Sequence, residues 1–182
     1  MRLFLAVTPP ENLRRELGVL LPQWTEELGG RWPSPENLHL TLAFLGELEE
    51  GRREAIEAAA DAAAHRPAFA VEWGGLGVFP SWRAARVAYL GVQEGEERLA
   101  ALARELIAAL PADLRPRRRP FRAHLTVARF RRPPRQEDLR RLAAELAPLS
   151  WSSRIEAIEF FESRLHPDGA RYRLLSRHPL EG

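Results

Sequence analysis

Hydrophobic positions along this chain switch between two spacings, and the switches mark out its elements. Residues 2–7 form an apolar, extended run ended by Pro9-Pro10, which predicts a buried strand. Leu13, Leu17, Leu20, Leu21, Trp24 and Leu28 then recur at helical spacing until Gly29-Gly30 stops them. Thr8 is expected to cap this helix, with Pro9 or Pro10 in its first turn, and Pro22 to kink or split it. Pro33 and Pro35 mark a loop. Alternation of period two returns from about Leu38 to Leu45, where Leu40 and Leu42 interleave with His39 and Thr41. After a turn at 46–51, an alanine-rich helix is expected over 52–64. A bent strand or hairpin follows over 69–79, broken at Gly74-Gly75, and then a strand over 86–92. Residues 94–110 predict a second long amphipathic helix, ended by Pro111. A second alternating strand runs from about Arg122 to Phe130, and a helix from 136 to 147. Two final strands, 153–165 and 171–177, are joined by the turn His166-Pro167-Asp168-Gly169.

The two alternating strands carry one motif. His39-Leu40-Thr41-Leu42 is repeated as His124-Leu125-Thr126-Val127, 85 residues later (124 − 39). The same offset lays strand on strand and helix on helix elsewhere, which predicts a repeated unit of strand, helix, His-Thr strand, helix, strand. The expected fold class is α+β: two pseudo-symmetric lobes, each an antiparallel sheet with helices on its outer face, and an active-site cleft between them. No linker-like stretch divides the halves, so residues 1–182 are read as a single bilobal domain.

Composition removes several chemistries. There is no cysteine, which excludes disulfides, thiolate zinc sites and cysteine nucleophiles. All 27 basic residues are arginine, so Schiff-base lysines, a P-loop lysine and a lysyl-AMP intermediate are excluded too. Residues 1–7 are too short an apolar run for a signal-peptide core or a membrane span, and a soluble, cytoplasmic monomer is expected. Net charge is only +2, but nine arginines and no acid lie between Arg115 and Arg135. That run is either the footprint of a polyanionic partner or a solvated surface.

On each alternating strand an imidazole and a hydroxyl share one face above an apolar floor. Two such strands facing one cleft would bracket a small anion with two imidazoles and two hydroxyls, which suits acid–base chemistry on a phosphoester. A structural histidine kept twice by duplication is the plainer alternative, and a non-catalytic RNA- or nucleotide-binding module is the functional one. No metal is expected, because neither motif offers a second ligand at a useful spacing. The remaining histidines, His65, His166 and His178, are read as surface residues beside turns. Arg129 follows His124 at an odd offset and would face away from the cleft unless a bulge or the strand's end turns it back. Phe44 holds the same place in the first copy and is read as core, with a base platform as the alternative.

Glu36-Asn37-Leu38-His39-Leu40-Thr41-Leu42-Ala43-Phe44-Leu45-Gly46-Glu47 resembles the first motif of the RNA 2′,3′-cyclic phosphodiesterases of the two-histidine phosphoesterase superfamily, long called 2′-5′ RNA ligases. His124 to Arg129 is similar to the second motif, and Gly77-Val78-Phe79-Pro80 and Gly169-Ala170-Arg171-Tyr172 are similar to other stretches of that family. The resemblance implies hydrolysis of an RNA terminal 2′,3′-cyclic phosphate to a 2′-phosphate, without cofactor or metal, and the reverse 2′-5′ joining by the same groups. It implies His124 as base and His39 as acid, an order that sequence alone leaves open. Thr41, Thr126 and Arg129 would hold the phosphate of an RNA end, tRNA fragments included.

Overall fold

The structure, a computed structural model, describes residues 1–116, 120–166 and 169–182, with Glu50 described by its backbone alone. The strands are β1 (Arg2–Val7), β2 (Leu40–Glu47), β3 (Phe69–Phe79), β4 (Val87–Glu94), β5 (Leu125–Arg129), β6 (Ser150–Ile155), β7 (Ala157–His166) and β8 (Gly169–Pro179). The helices are α1 (Glu11–Leu20), α2 (Pro22–Leu28), α3 (Arg53–Ala64), α4 (Glu96–Ala109) and α5 (Gln136–Leu146). Two four-stranded antiparallel sheets result, in the orders β2-β1-β7-β8 and β5-β4-β3-β6. The expected two-lobed α+β class is the observed one.

Period two explains how each sheet finds its inner and outer face. Leu3, Leu5 and Val7 of β1 sink into the core, while Arg2 and Phe4 between them line the cleft. Likewise Leu40 and Leu42, and Leu125 and Val127, are core, whereas Thr41 and Thr126 face the cleft. Burying one leucine contributes about 1.5–3 kcal/mol. A one-residue slip of β2 would forfeit that twice and bury His39 and Thr41 instead.

The lobes are not the two repeats. β1 and β2 lie in the first sheet, but β3 joins β4 and β5 in the second, and β7 returns to pair with β1. Helices cross as well. α4 leaves the second sheet to pack beside α3 on the first. α1 and α2 reach the second, where Trp151 of β6 donates to Glu16 and Trp24 of α2 donates to Glu145 of α5.

The helical run after Pro10 is two helices, as Pro22 allowed: Pro22 starts a new one and Leu21 is the joint. Several other expectations need correction. Thr8 does not cap α1; its hydroxyl donates to Glu159 across the sheet, and Pro10 stands at the cap position. The stretch 153–165 is two strands in different sheets, divided at Glu156. His178 is a buried strand residue, not a surface one. Its Nδ1 lies 2.6 Å from Asp61 of α3 and its Nε2 2.9 Å from Ser176, so it pins α3 to β8. His65 and His166 are exposed, as expected. Pro167 and Asp168 of the predicted turn, and Arg117–Arg119 of the basic run, lie outside the described residues. Among the described residues no helix is long and apolar enough to cross a membrane.

Candidate active site

Both histidines stand one residue ahead of their strands, and both are anchored the same way. Nδ1 of His39 lies 2.7 Å from the carbonyl of Asn37, and Nδ1 of His124 lies 2.7 Å from the carbonyl of Arg122. A carbonyl only accepts, so Nδ1 carries the hydrogen in each ring and Nε2 is left for the cleft. Asn37 is itself tied down, its amide donating to the carbonyl of Ala170 in β8 at 2.9 Å. Aromatic rings then fix the imidazole planes. Phe4 and Tyr172 pack on His39 with centroids 4.8 and 4.9 Å away, and Phe79 and Tyr89 pack on His124 at 5.3 and 5.8 Å.

A β-bulge in each strand sets the direction of the side chains beyond the threonine. Ala43 pairs with Leu5 and Thr41 with Ala6, leaving Leu42 as the extra residue; Ala128 pairs with Ala88 and Thr126 with Tyr89, leaving Val127. The two extra residues are 85 apart (127 − 42), the offset of the motif itself. Each bulge reverses the alternation, so Phe44 and Arg129 turn into the cleft beside Thr41 and Thr126. Arg129 therefore faces the site through a bulge, one of the two routes its offset left open. Phe44 does not belong to the core: it is 46% exposed and lines the cleft.

Arg129 is held from outside the strand too. Its backbone exchanges two hydrogen bonds of 2.8 Å with Arg31, which brings the loop after α2 against the free edge of β5. Gly30 makes that approach possible. Its φ is +86°, and a Cβ there would sit 2.7 Å from the carbonyl oxygen of Arg129.

The resulting cleft has a volume of about 1040 Å³ and gathers His39, Thr41, His124, Thr126 and Arg129, all five of the residues singled out from sequence. Arg2, Arg31 and Arg171 also line it, and no acidic side chain does among the described residues. None of the four cleft arginines is in an ion pair with a described residue, so their charge faces an anion site. Burial pushes the His39 imidazole below its ordinary value; the Asn37 carbonyl opposes this, and the charges of Arg129 and His124 add to it. Burial pushes the Tyr172 phenol up, against the pull of Arg129 and Arg2. Sequence reasoning missed the parts played by Asn37, Phe4 and Tyr172. The alternation of Arg2 and Phe4 with Leu3 and Leu5 was the signal available for Phe4.

Residues 9–166 match the family described as the 2′-5′ RNA ligase superfamily. The chain belongs to that superfamily. It is 34% identical, over 94% of its length and 95% of the relative's, to the RNA 2′,3′-cyclic phosphodiesterase of Methanothermobacter thermautotrophicus. Among solved structures it is similar to a protein of Thermus thermophilus, with a TM-score of 0.78, 28% identity, and 100% of this chain and 99% of that one covered. The structure of Escherichia coli LigT complexed with 3′-AMP aligns with the same TM-score of 0.78, at 26% identity over 100% and 98% of the two chains. In this superfamily member the two repeated motifs, read from sequence as one site, line one cleft.

Proposed function

We propose that this chain hydrolyses the 2′,3′-cyclic phosphate at an RNA end, tRNA fragments included, and leaves a 2′-phosphate and a free 3′-hydroxyl. Water attacks phosphorus; the base removes its proton while the acid protonates the departing 3′-oxygen on the opposite side. His39 and His124 take these parts through Nε2, and the family resemblance makes His124 the base and His39 the acid. Thr41 and Thr126 donate to the non-bridging oxygens, where charge accumulates, and Arg129 holds the anion. The scheme needs no metal: among the described residues the cleft offers two histidines and no carboxylate, short of the three or four protein ligands that zinc takes. The working protein is read as a cytoplasmic monomer. The observation that carries the proposal is the pair of identically anchored imidazoles in one arginine-lined cleft that has no acid among the described residues.

The test is turnover of an oligonucleotide with a cyclic phosphate end, with identification of the product isomer. His39→Ala and His124→Ala are each expected to lower kcat by roughly a hundredfold or more while circular dichroism stays unchanged. A 3′-phosphate product, or full activity in either variant, overturns the scheme. The pH profile of kcat/KM is expected to be bell-shaped, with limbs that belong to the imidazole pair rather than to either ring. Because burial in the free protein holds His39 below the ordinary histidine value, the acidic limb of kcat/KM is expected below that value. The limbs of kcat are expected higher, since a bound phosphate anion favours the imidazolium. An acidic limb of kcat/KM at or above the ordinary value overturns the part given to His39.

A further inference from the structure

In an antiparallel sheet, residues directly opposite one another share a face. Phe44 is opposite Phe4, Phe4 opposite Phe161, and Phe161 opposite Leu174. One rung of apolar side chains, one from each strand, therefore crosses the whole first sheet on its cleft side. Thr41, opposite Ala6, lies one step to one side of the rung. One step to the other side, Arg2 is opposite Ser163 and Ser163 opposite Tyr172; Leu165, opposite Ala170, lies a step beyond. Each step is two residues, about 7 Å, so the face runs about 20 Å from Thr41 to Leu165. A stacked nucleotide rises only about 3.4 Å, so this span exceeds what the terminal nucleotide needs.

Four large apolar side chains are exposed among the described residues, and three of them lie here: Phe44 at 46%, Leu165 at 77% and Leu174 at 49%. The guanidinium carbon of Arg2 stands 5.1 Å from the centre of the Phe44 ring. On the reverse side of the β7–β8 ribbon two arginines are engaged, Arg164 and Arg173 both donating to Glu162 at 3.0 and 2.9 Å. The basic run of 115–135 is partly engaged as well. Arg115 donates to the carbonyls of Leu110 and Ala108 at the end of α4, and Arg135 pairs with Glu137.

We propose that the cleft face of the first sheet binds the single-stranded RNA lying 5′ to the cyclic phosphate, its bases stacking on the exposed ring of Phe44 and reaching the exposed side chain of Leu165, and Arg2 meeting a phosphate between them. The face is continuous with the histidine pair and offers the mix of aromatic and arginine groups that sequence-tolerant single-strand binding uses; among the described residues its two acids by register, Glu47 opposite Arg2 and Glu159 opposite Ala6, lie outside the lining of the cleft. The inference rests on the phosphodiesterase reading of the cleft and adds where the RNA chain runs and which side chains meet its bases.

The experiment compares kcat/KM for adenosine 2′,3′-cyclic phosphate with that for a pentanucleotide ending in the same group, and reads the ratio within each protein. Wild type is expected to prefer the pentanucleotide at least tenfold. Phe44→Ala and Leu165→Ser, both at exposed positions, are expected to lower that preference by roughly tenfold for the stacking residue and less for the leucine. Arg131→Glu, in the basic run but outside the cleft, leaves it unchanged. A wild-type ratio near one, or a ratio indifferent to Phe44→Ala, overturns the proposal. Fluorescence anisotropy with the pentanucleotide carrying a 3′-phosphate separates the two readings. Binding that depends on Phe44 without turnover of either substrate sinks the phosphodiesterase reading and keeps the RNA face. Sedimentation adds one more outcome: self-association abolished by the same two substitutions, with no effect on RNA, gives the face to a second copy of the chain and overturns the proposal.

Discussion

An imidazole tied by Nδ1–H to a carbonyl has one nitrogen left with which to trade protons, and both histidines are in that state. For His39 the surroundings also favour neutrality, with a consequence for stability. The unfolded chain takes up a proton near the ordinary histidine value of about 6.5, whereas the folded chain takes it up only at lower pH. Between those two values the unfolded state binds more protons, so stability rises with pH through that window and falls as the solution is acidified. Thermal melts from pH 7.5 down to 5 are expected to show that loss, and His39→Gln to flatten it; an equal slope in the variant would assign the effect to other groups. At this scale the sequence was informative about identity and poor about contact. A repeated His-x-Thr is visible in the letters, but Asn37 acts through its backbone carbonyl and an amide that reaches β8, 133 residues away. No local pattern encodes a partner that distant.

Among the elements, strands and helices were legible because burial repeats at two or 3.6 residues, and breaks were legible only where a proline or glycine announced them. Pro22 divided a helix as expected, while the passage from β6 to β7 at Glu156 carries neither signal and was read through. The bulges at Leu42 and Val127 could be suspected from the odd offset of Arg129, and then only as one of two possibilities. Gly30 tests how far the site depends on its flanking loop. Gly30→Ala demands a positive φ from a residue with a side chain and drives Cβ into the Arg129 carbonyl and the Phe130 ring. About 1–3 kcal/mol of strain is expected, relieved by the loop lifting away from β5. The measurement is KM against kcat with a cyclic phosphate substrate. A raised KM with little change in kcat is expected, since Arg129 loses its support while the histidines keep theirs; unchanged kinetics would show that the Arg31 bridge does not position Arg129.

For the molecule as a whole, a net charge of +2 conceals a cleft with four arginines and no acid among the described residues. The salt dependence of RNA binding should follow the cleft rather than the arginine run seen in the sequence. Replacing Arg129 by alanine is expected to reduce the slope of log affinity against log salt by about one, and replacing Arg115, which caps α4, to leave it unchanged. The reverse result would return the RNA to the 115–135 run. That run was conspicuous as letters and partly misleading as a surface, since charge in a sequence does not say which guanidinium already has an acceptor.

The crossing of strands between the sheets bears on how such a pair of imidazoles can exist at all. Residues 1–85 hold β1 and β2 for one sheet and β3 for the other, and the remainder returns β7 and β8 in exchange. Neither half closes a sheet by itself, so severing the chain after β3 would leave two fragments that must interlace to fold. Acid and base are thereby yoked to the act of folding: a molecule that has assembled one of them in its proper setting has already assembled the other.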